Sequence, residues 1–379
     1  MSHQKVALSI ATALLIVLAG CGGSSGSTAT PTSTPTERVD SPGPTPPNLA
    51  GVNDLEEFSF PDGVTATEAN VDADRLQRRH VGHLQDANSY VVRSSIRVDR
   101  GQDVDVQTAT QRHEDGVGTL TEVRTETFVS EVWRPADSDA VFLKQGDSVT
   151  YVGPNLDPQL RETAIREQSV GLFVDQLARR DLRTIRGTTV RGTDAVDVAG
   201  NASVVPGTEL QESSPVRDVQ VNGTLTAESL IESAQVEYVR PRAADEPTVT
   251  RTYQVVSLDE GMTEPEWIYD APRVDAELVN ERVIRLRNTG ARPLPVGSRV
   301  FVQLGDTVLR VELPVAVPPG ERVQLYRPIQ ESDSGQSSGE THPLRVSTGS
   351  VEFDELAPFG DEVTVVVRVG DDVARVQAS

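Results

Sequence analysis

The chain has 379 residues, of which 57 are acidic and 35 basic, giving a formal net charge of −22. A hydrophobic content of 37% is enough to build packed cores, while 4% aromatics with 29 Gly and 24 Pro favour short strands and punctuated turns over long packed helices. The acidic excess excludes a nucleic-acid partner held through its phosphates, which needs a basic surface.

Residues 1–20 read as a signal peptide. A short polar start (His3, Gln4, Lys5) precedes an apolar run from Val6 to Gly20, shorter than the about 20 residues that a membrane span needs. The run ends in Leu18-Ala19-Gly20-Cys21, which looks like a lipobox, with small residues at the cleavage point and the Cys21 thiol as the group that takes the lipid. The rival reading, an uncleaved anchor with an incidental cysteine, is disfavoured by the span length. Cys21 is also the only cysteine, so an exported domain would carry no internal disulfide and would depend on its cores. Cleavage removes one charged residue, Lys5. Residues 21–50 are rich in Ser, Thr, Pro and Gly and cannot bury enough apolar surface to offset ordering, so they read as a lipidated tether. As a loose coil it would span about 30 Å. Its Thr-Pro pattern equally suits an O-glycosylated stalk.

The region 51–271 begins with a helix and continues in strands. Asp72 or Asp74 can cap a helix reaching about Asn88, with Ala73, Leu76, His80, Leu84 and Ala87 on one face. From Tyr90 the period becomes two: Tyr90, Val92, Ser94, Ile96 and Val98 share one side of a strand. Further strands are predicted at 103–112, 117–134, 139–145 and 148–152, with Gly146-Asp147 turning between the last two. The long stretch 117–134 suits a strongly curved sheet. Asp157-Pro158 is helix-start chemistry, and Val170, Phe173, Val174 and Leu177 form an i, i+3, i+4, i+7 stripe. Strands are predicted again at 186–198, 216–226, 234–240 and 248–258, and Pro265-Glu266-Trp267 with Asp270-Ala271-Pro272 marks an exit.

The region 272–379 is all strand and turn. Strands are predicted at 274–279, 282–288, 299–304, 307–313, 321–327, 344–353, 362–369 and 372–377, with turn chemistry at Asn288-Thr289-Gly290 and Pro318-Pro319-Gly320. Val363, Val365, Val367 and Val369 make an inward face. This count of short strands fits an immunoglobulin-like β-sandwich without its disulfide. The Ser/Gly-rich stretch 331–341 reads as a loop.

The layout resembles a haloarchaeal lipoprotein: the acidic excess comes with only two lysines, Lys5 and Lys144, beside the lipobox and the Thr/Pro stalk. The Ala-Asn-Ser-Tyr junction (87–90) and the Pro-Glu-Trp exit (265–267) carry a further resemblance. In order of elements, 51–271 is similar to the LolA-like lipoprotein carriers and mycobacterial lipid-transport lipoproteins. That resemblance implies an α+β fold: a curved antiparallel half-barrel sheet with helices plugging its concave side, where acyl chains are received. It carries over no ligand contact, and archaea lack the outer membrane to which such carriers deliver.

Catalytic motifs are not found. The Gly-x-Ser-x-Gly spacing falls only at 22–26 and 335–339, in the Ser/Gly-rich tether and loop and not at a strand-to-helix elbow; there is no phosphate loop, and the lone cysteine would be consumed by lipid, so no enzyme is expected. His80 and His83, at i, i+3, are the best metal candidates, with His113-Glu114-Asp115 as further ligands. A structural role is the commoner outcome for such a pair, and no metal or cofactor is expected. Asn201-Ala202-Ser203 and Asn222-Gly223-Thr224 are N-glycosylation sequons, placed near strand ends or loops. The stripe of Val170, Phe173, Val174 and Leu177 reads either as core packing or as the wall of a lipid cavity. The expected function is a membrane-anchored extracytoplasmic lipoprotein, held by a lipid on Cys21, that binds an apolar, lipid-like ligand. The alternative is a non-enzymatic cell-surface interaction or structural module.

Overall fold

The computed structural model describes residues 60–61, 64, 72–154, 156, 172–174, 176–177, 182–210, 212, 214–241, 246–329, 343–353, 355–360 and 363–378. The expected signal peptide (1–20), Cys21 and the expected tether (21–50) lie outside the described residues. So do Val170, the Asp157-Pro158 helix start and the 331–341 loop.

Helix α1 (Ala73–Asp86) starts as its sequence predicts: Asp72 is the N-cap, its Oδ1 accepting from Arg75 N at 3.0 Å. The strands then run β1 (Ser89–Asp99), β2 (Val104–Glu114), β3 (Gly118–Arg124), β4 (Val129–Pro135), β5 (Val141–Gln145) and β6 (Ser148–Val152). Residues 172–174 and 176–177 are helical. After them come β7 (Arg183–Val190), β8 (Thr193–Val205), β9 (Val216–Thr226), β10 (Ile231–Val239) and β11 (Thr248–Leu258). The C-terminal strands are β12 (Val274–Val279), β13 (Val283–Asn288), β14 (Arg299–Leu304), β15 (Thr307–Glu312), β16 (Arg322–Tyr326), β17 (Arg345–Ser347), β18 (Val363–Val369) and β19 (Asp372–Ala378).

Two predicted strands prove to be hairpins. The stretch 117–134 folds back at Thr125, whose Oγ1 accepts from Thr127 N (3.3 Å) and Phe128 N (3.2 Å), a hydroxyl turn without Gly or Pro. The stretch 186–198 turns at Arg191-Gly192, with φ of 51° and 81°, the left-handed pair that a two-residue hairpin demands. The predicted strand at 344–353 shortens to β17.

The protein is mostly β, with a large curved sheet. Among the described residues that sheet holds 15 strands in the order β15-β14-β18-β19-β6-β5-β4-β3-β2-β1-β11-β10-β9-β8-β7, and a second sheet runs β12-β13-β16-β17. All pairings are antiparallel except β19 with β6, which is parallel. That pairing carries the sheet across the boundary expected at 271/272, and all described residues fall in one unit, 48–379. The joint is tight. Gly153 N donates to Arg375 O at 2.8 Å and Val149 N to Asp372 Oδ1 at 2.7 Å, and a Cβ at Gly153 would meet Val376 Cγ1 at 2.7 Å.

The core divides differently from the sequence. One apolar cluster joins α1 and residues 172–177 to β1 and β8–β11. The other joins Trp133, Phe142, Val149 and Tyr151 of β4–β6 to Ile284 and Leu286 of β13, Val300 of β14 and Val363–Val367 of β18. The C-terminal strands are therefore divided between the end of the large sheet and the small sheet, and they share a core with β4–β6 of the preceding region. Trp133 is fully buried, and its ring lies over Gly118 (φ 145°), where a Cβ would stand 2.3 Å from Arg134 O and 2.9 Å from the indole.

Candidate functional site

The helix-covered face of β1 and β8–β11 corresponds to the place between sheet and helices where the family resemblance implies a ligand. Its apolar residues alternate along each strand: Val219, Val221 and Leu225 on β9, Ala234, Val236 and Tyr238 on β10, Val249, Tyr253 and Val255 on β11. Helix α1 lays Leu76, His80 and Leu84 on them at four-residue spacing. Residues 172–177 add Leu172, Phe173, Val174 and Leu177.

The expected cavity wall is packed. Phe173 is 3% exposed, and Val174 and Leu177 are 0% exposed. A side chain bordering a void wide enough for water keeps accessible surface, and these two keep none, so the stripe fills this space as core. Phe173 sits 5.9 Å from the Tyr253 ring, and Leu177 lies over Gly223. Two surface grooves, of 570 and 430 Å³, lie elsewhere. The first is bounded by residues such as Phe128 and Lys144 and the second by Glu277, Arg287 and Arg322, and neither shares a residue with this apolar cluster.

His80 is the polar centre of the contact between α1 and the sheet. It is 0% exposed; its Nδ1 accepts from Ile231 N at 3.1 Å, so Nε2 carries the proton and donates to Tyr253 Oη at 2.9 Å. Burial, with a smaller contribution from His83, pushes its pKa down to about 4, keeping the ring neutral. Burial likewise pushes the Tyr253 hydroxyl up. His83 Nε2 donates to the Glu228 carbonyl at 2.5 Å. His113 stacks on Tyr90 at 5.0 Å and bonds Thr119 and Asp115. Hydrogen bonds thus occupy these imidazoles. Among the described residues no group of three or more His, Cys, Asp or Glu is placed to hold a metal ion.

One polar cluster was not anticipated from the sequence. Glu212 Oε1 accepts from Tyr238 Oη (2.6 Å) and Arg240 Nη2 (2.5 Å) and lies 3.6 Å from Arg251 Nη2, while Arg251 Nε donates to Tyr238 Oη at 3.1 Å. Burial pushes the Tyr238 hydroxyl up to about 12, and Glu212 adds to the effect. Arg251 follows the alternation Val249, Arg251, Tyr253, Val255, a cation at an apolar register position of β11. That mismatch is the signal that could have found it.

Both sequon asparagines are exposed and lie inside strands, not at the ends or loops expected for them. Asn201 on β8 pairs with Gln220, and Asn222 on β9 with Ala199, so the two share one face of adjacent strands. The Thr224 hydroxyl donates to Asp197 Oδ1 at 2.7 Å.

No family model matches the chain, and no curated protein matches it. Among solved structures, LprF from Mycobacterium bovis aligns at 11% identity over 51% of this chain and 96% of its own, with a TM-score of 0.27. The lipoprotein LppX of Mycobacterium tuberculosis aligns at 12% identity over 51% and 99%, TM-score 0.23. A LolA superfamily protein from Nitrosomonas europaea aligns at 8% identity over 52% and 99%, TM-score 0.20. The structural neighbours thus include lipoproteins and LolA superfamily members, at low identity and over part of the chain. Likeness of this degree transfers no ligand, partner or location to the chain.

Proposed function

We propose that the chain is a lipid-anchored, extracytoplasmic, non-enzymatic binding protein, and that an apolar, lipid-like ligand enters between its curved sheet and the helices over it. One observation carries the reading: the apolar face of β1 and β8–β11 is covered by α1 and the 172–177 segment, not by another sheet. From α1, His80 bonds Tyr253 and Ile231 and His83 bonds Glu228, while Leu76, Leu84, Leu172, Phe173, Val174 and Leu177 bring the cover's apolar contact. Apolar contacts of this kind can be exchanged for contacts with an acyl chain at small net cost. Phe173, Val174 and Leu177 then stand where the ligand's chain goes, and loading displaces them.

The anchor rests on Leu18-Ala19-Gly20-Cys21 and the Ser/Thr/Pro tether. The acidic, lysine-poor composition supports a halophilic archaeal source with its surface charge screened by salt. The small sheet β12-β13-β16-β17, sharing one core with β14 and β18 of the large sheet, supports an immunoglobulin-like reading of 272–379, and the exposed Asn201 and Asn222 support glycosylation.

Native mass spectrometry of protein extracted from membranes tests this. A lipid mass that leaves on mild activation, in addition to a covalent mass on Cys21, is expected; protein that is always apo and takes up no apolar probe overturns it. Cys21→Ser is expected to move the protein from the membrane fraction to the medium.

The complete burial of Val174 and Leu177 favours a second reading, a closed cell-surface interaction or structural module. Cross-linking on intact cells that recovers a discrete partner, together with lipid-free protein, would support it.

A further inference from the structure

We infer that the ligand is an amphiphile with an anionic head, carboxylate or phosphate, and that Arg240 and Arg251 receive the head at one end of the helix-covered face. This rests on the lipid-binding reading and narrows it. Arg251 lies one same-face step along β11 from Tyr253, against which Phe173 packs, so the cationic end adjoins the proposed acyl path directly. Tyr238, opposite Val249 in the register, closes the same corner from β10.

The charge balance singles out this corner. Two guanidinium groups, 15% and 12% exposed, share the one Glu212 carboxylate, itself 10% exposed. Among the described residues no second acid reaches either of them, although the chain as a whole has a large acidic excess. Arg240 Nε is buried and makes no hydrogen bond among the described residues. Counted over the described residues, this largely buried site carries one positive charge in excess, which is costly unless an anion completes it. Moreover, Tyr238, Arg240 and Arg251 all converge on a single oxygen, Glu212 Oε1. Glu212 therefore stands where a ligand's oxygen would stand. It comes from the connection between β8 and β9, held by Glu212 N donating to Gly207 O at 2.7 Å, and can yield to a stronger anion.

The test compares palmitic acid, cetyl phosphate and cetyl alcohol, which share an alkyl chain and differ in the head, on the full-length protein released from membranes. The anionic probes are expected to bind about tenfold or more tightly than the alcohol, as charge-assisted hydrogen bonds would give. The ratio between acid and phosphate reports which head fits better. Arg240→Gln/Arg251→Gln is expected to abolish the preference, bringing the anionic probes down to the affinity that the same variant shows for the alcohol. Glu212→Gln is expected to raise affinity for the anionic probes, a gain that misfolding cannot imitate. Equal binding of all three probes to the unaltered protein, or a preference that survives the double substitution, overturns the anionic-head assignment and leaves the lipid-binding reading standing. If no probe binds, the alcohol included, both fall together.

Discussion

Leu177 rests on Gly223 of β9: a Cβ at that glycine would lie 3.3 Å from Leu177 Cδ2 and 3.4 Å from Ser233 O. A glycine inside a central strand weakens it, and here its absent side chain is the seat of the helical cover. Gly223→Val is expected to destabilise the protein by about 1–3 kcal/mol, as overpacking does. Leu177→Ala alone is expected to cost about 2–5 kcal/mol through the cavity it leaves. Because the two sites touch, the double variant should cost less than the sum. Denaturant midpoints of the three variants measure this; strict additivity would place the contact elsewhere.

His80 gives the fold a defined acid response. Its pKa is about 4 in the folded protein against 6.5 unfolded, so between these values the unfolded chain binds more protons. Stability is therefore lost as pH falls from 6.5 towards 4, by about 3 kcal/mol in all from this group, and the loss levels off below that. The groups facing the ring are the Tyr253 hydroxyl and the Ile231 amide, with His83 one turn along α1. His80→Gln should flatten the stability profile across this window relative to the unaltered protein. Urea denaturation at stepped pH reads the difference, and parallel profiles would remove His80 as the source.

Much of this face was legible in the sequence. The Asp72 cap, the four-residue spacing of Leu76, His80 and Leu84, and the alternation from Tyr90 announce α1 and β1, because local capping and periodicity decide them. The stripe of Val170, Phe173, Val174 and Leu177 announced an apolar helix face, but the same pattern fits a wall or a plug, and packing of Leu177 against Gly223 is what distinguishes them. The turns at Thr125 and Arg191 were missed because a hydroxyl and an arginine occupy positions where Gly or Asn would be read. Glu212, Arg240 and Arg251 meet only through tertiary folding, and local pattern marks just Arg251, as the cation in the β11 alternation.

The parallel pairing of β6 with β19 could not be read locally either, since it joins residues more than two hundred positions apart. It predicts that 51–271 does not behave as an independent unit. Removing 272–379 would strip partners from Trp133, Phe142 and Tyr151, and the shortened protein should bind a hydrophobic dye and aggregate. In the full chain Gly153→Val should cost about 1–3 kcal/mol by forcing its side chain against Val376. A monodisperse, cooperatively melting 51–271 fragment would show instead that the β6–β19 joint is dispensable.

Pinning the cover separates the two functional readings. In a Cys21→Ser background, Leu177→Cys/Gly223→Cys places two thiols across the contact that ligand entry must open. Oxidation, followed by mass and gel shift, ties the 172–177 segment to β9. If a lipid displaces that segment, the oxidised protein should take up little palmitic acid while the reduced protein binds like the Cys21→Ser parent, and the change should reverse on adding reductant. If uptake is equal in both states, the chain of the ligand does not pass beneath Leu177. If neither state nor the parent takes up lipid, the packed core is the working state and the surface-module reading stands.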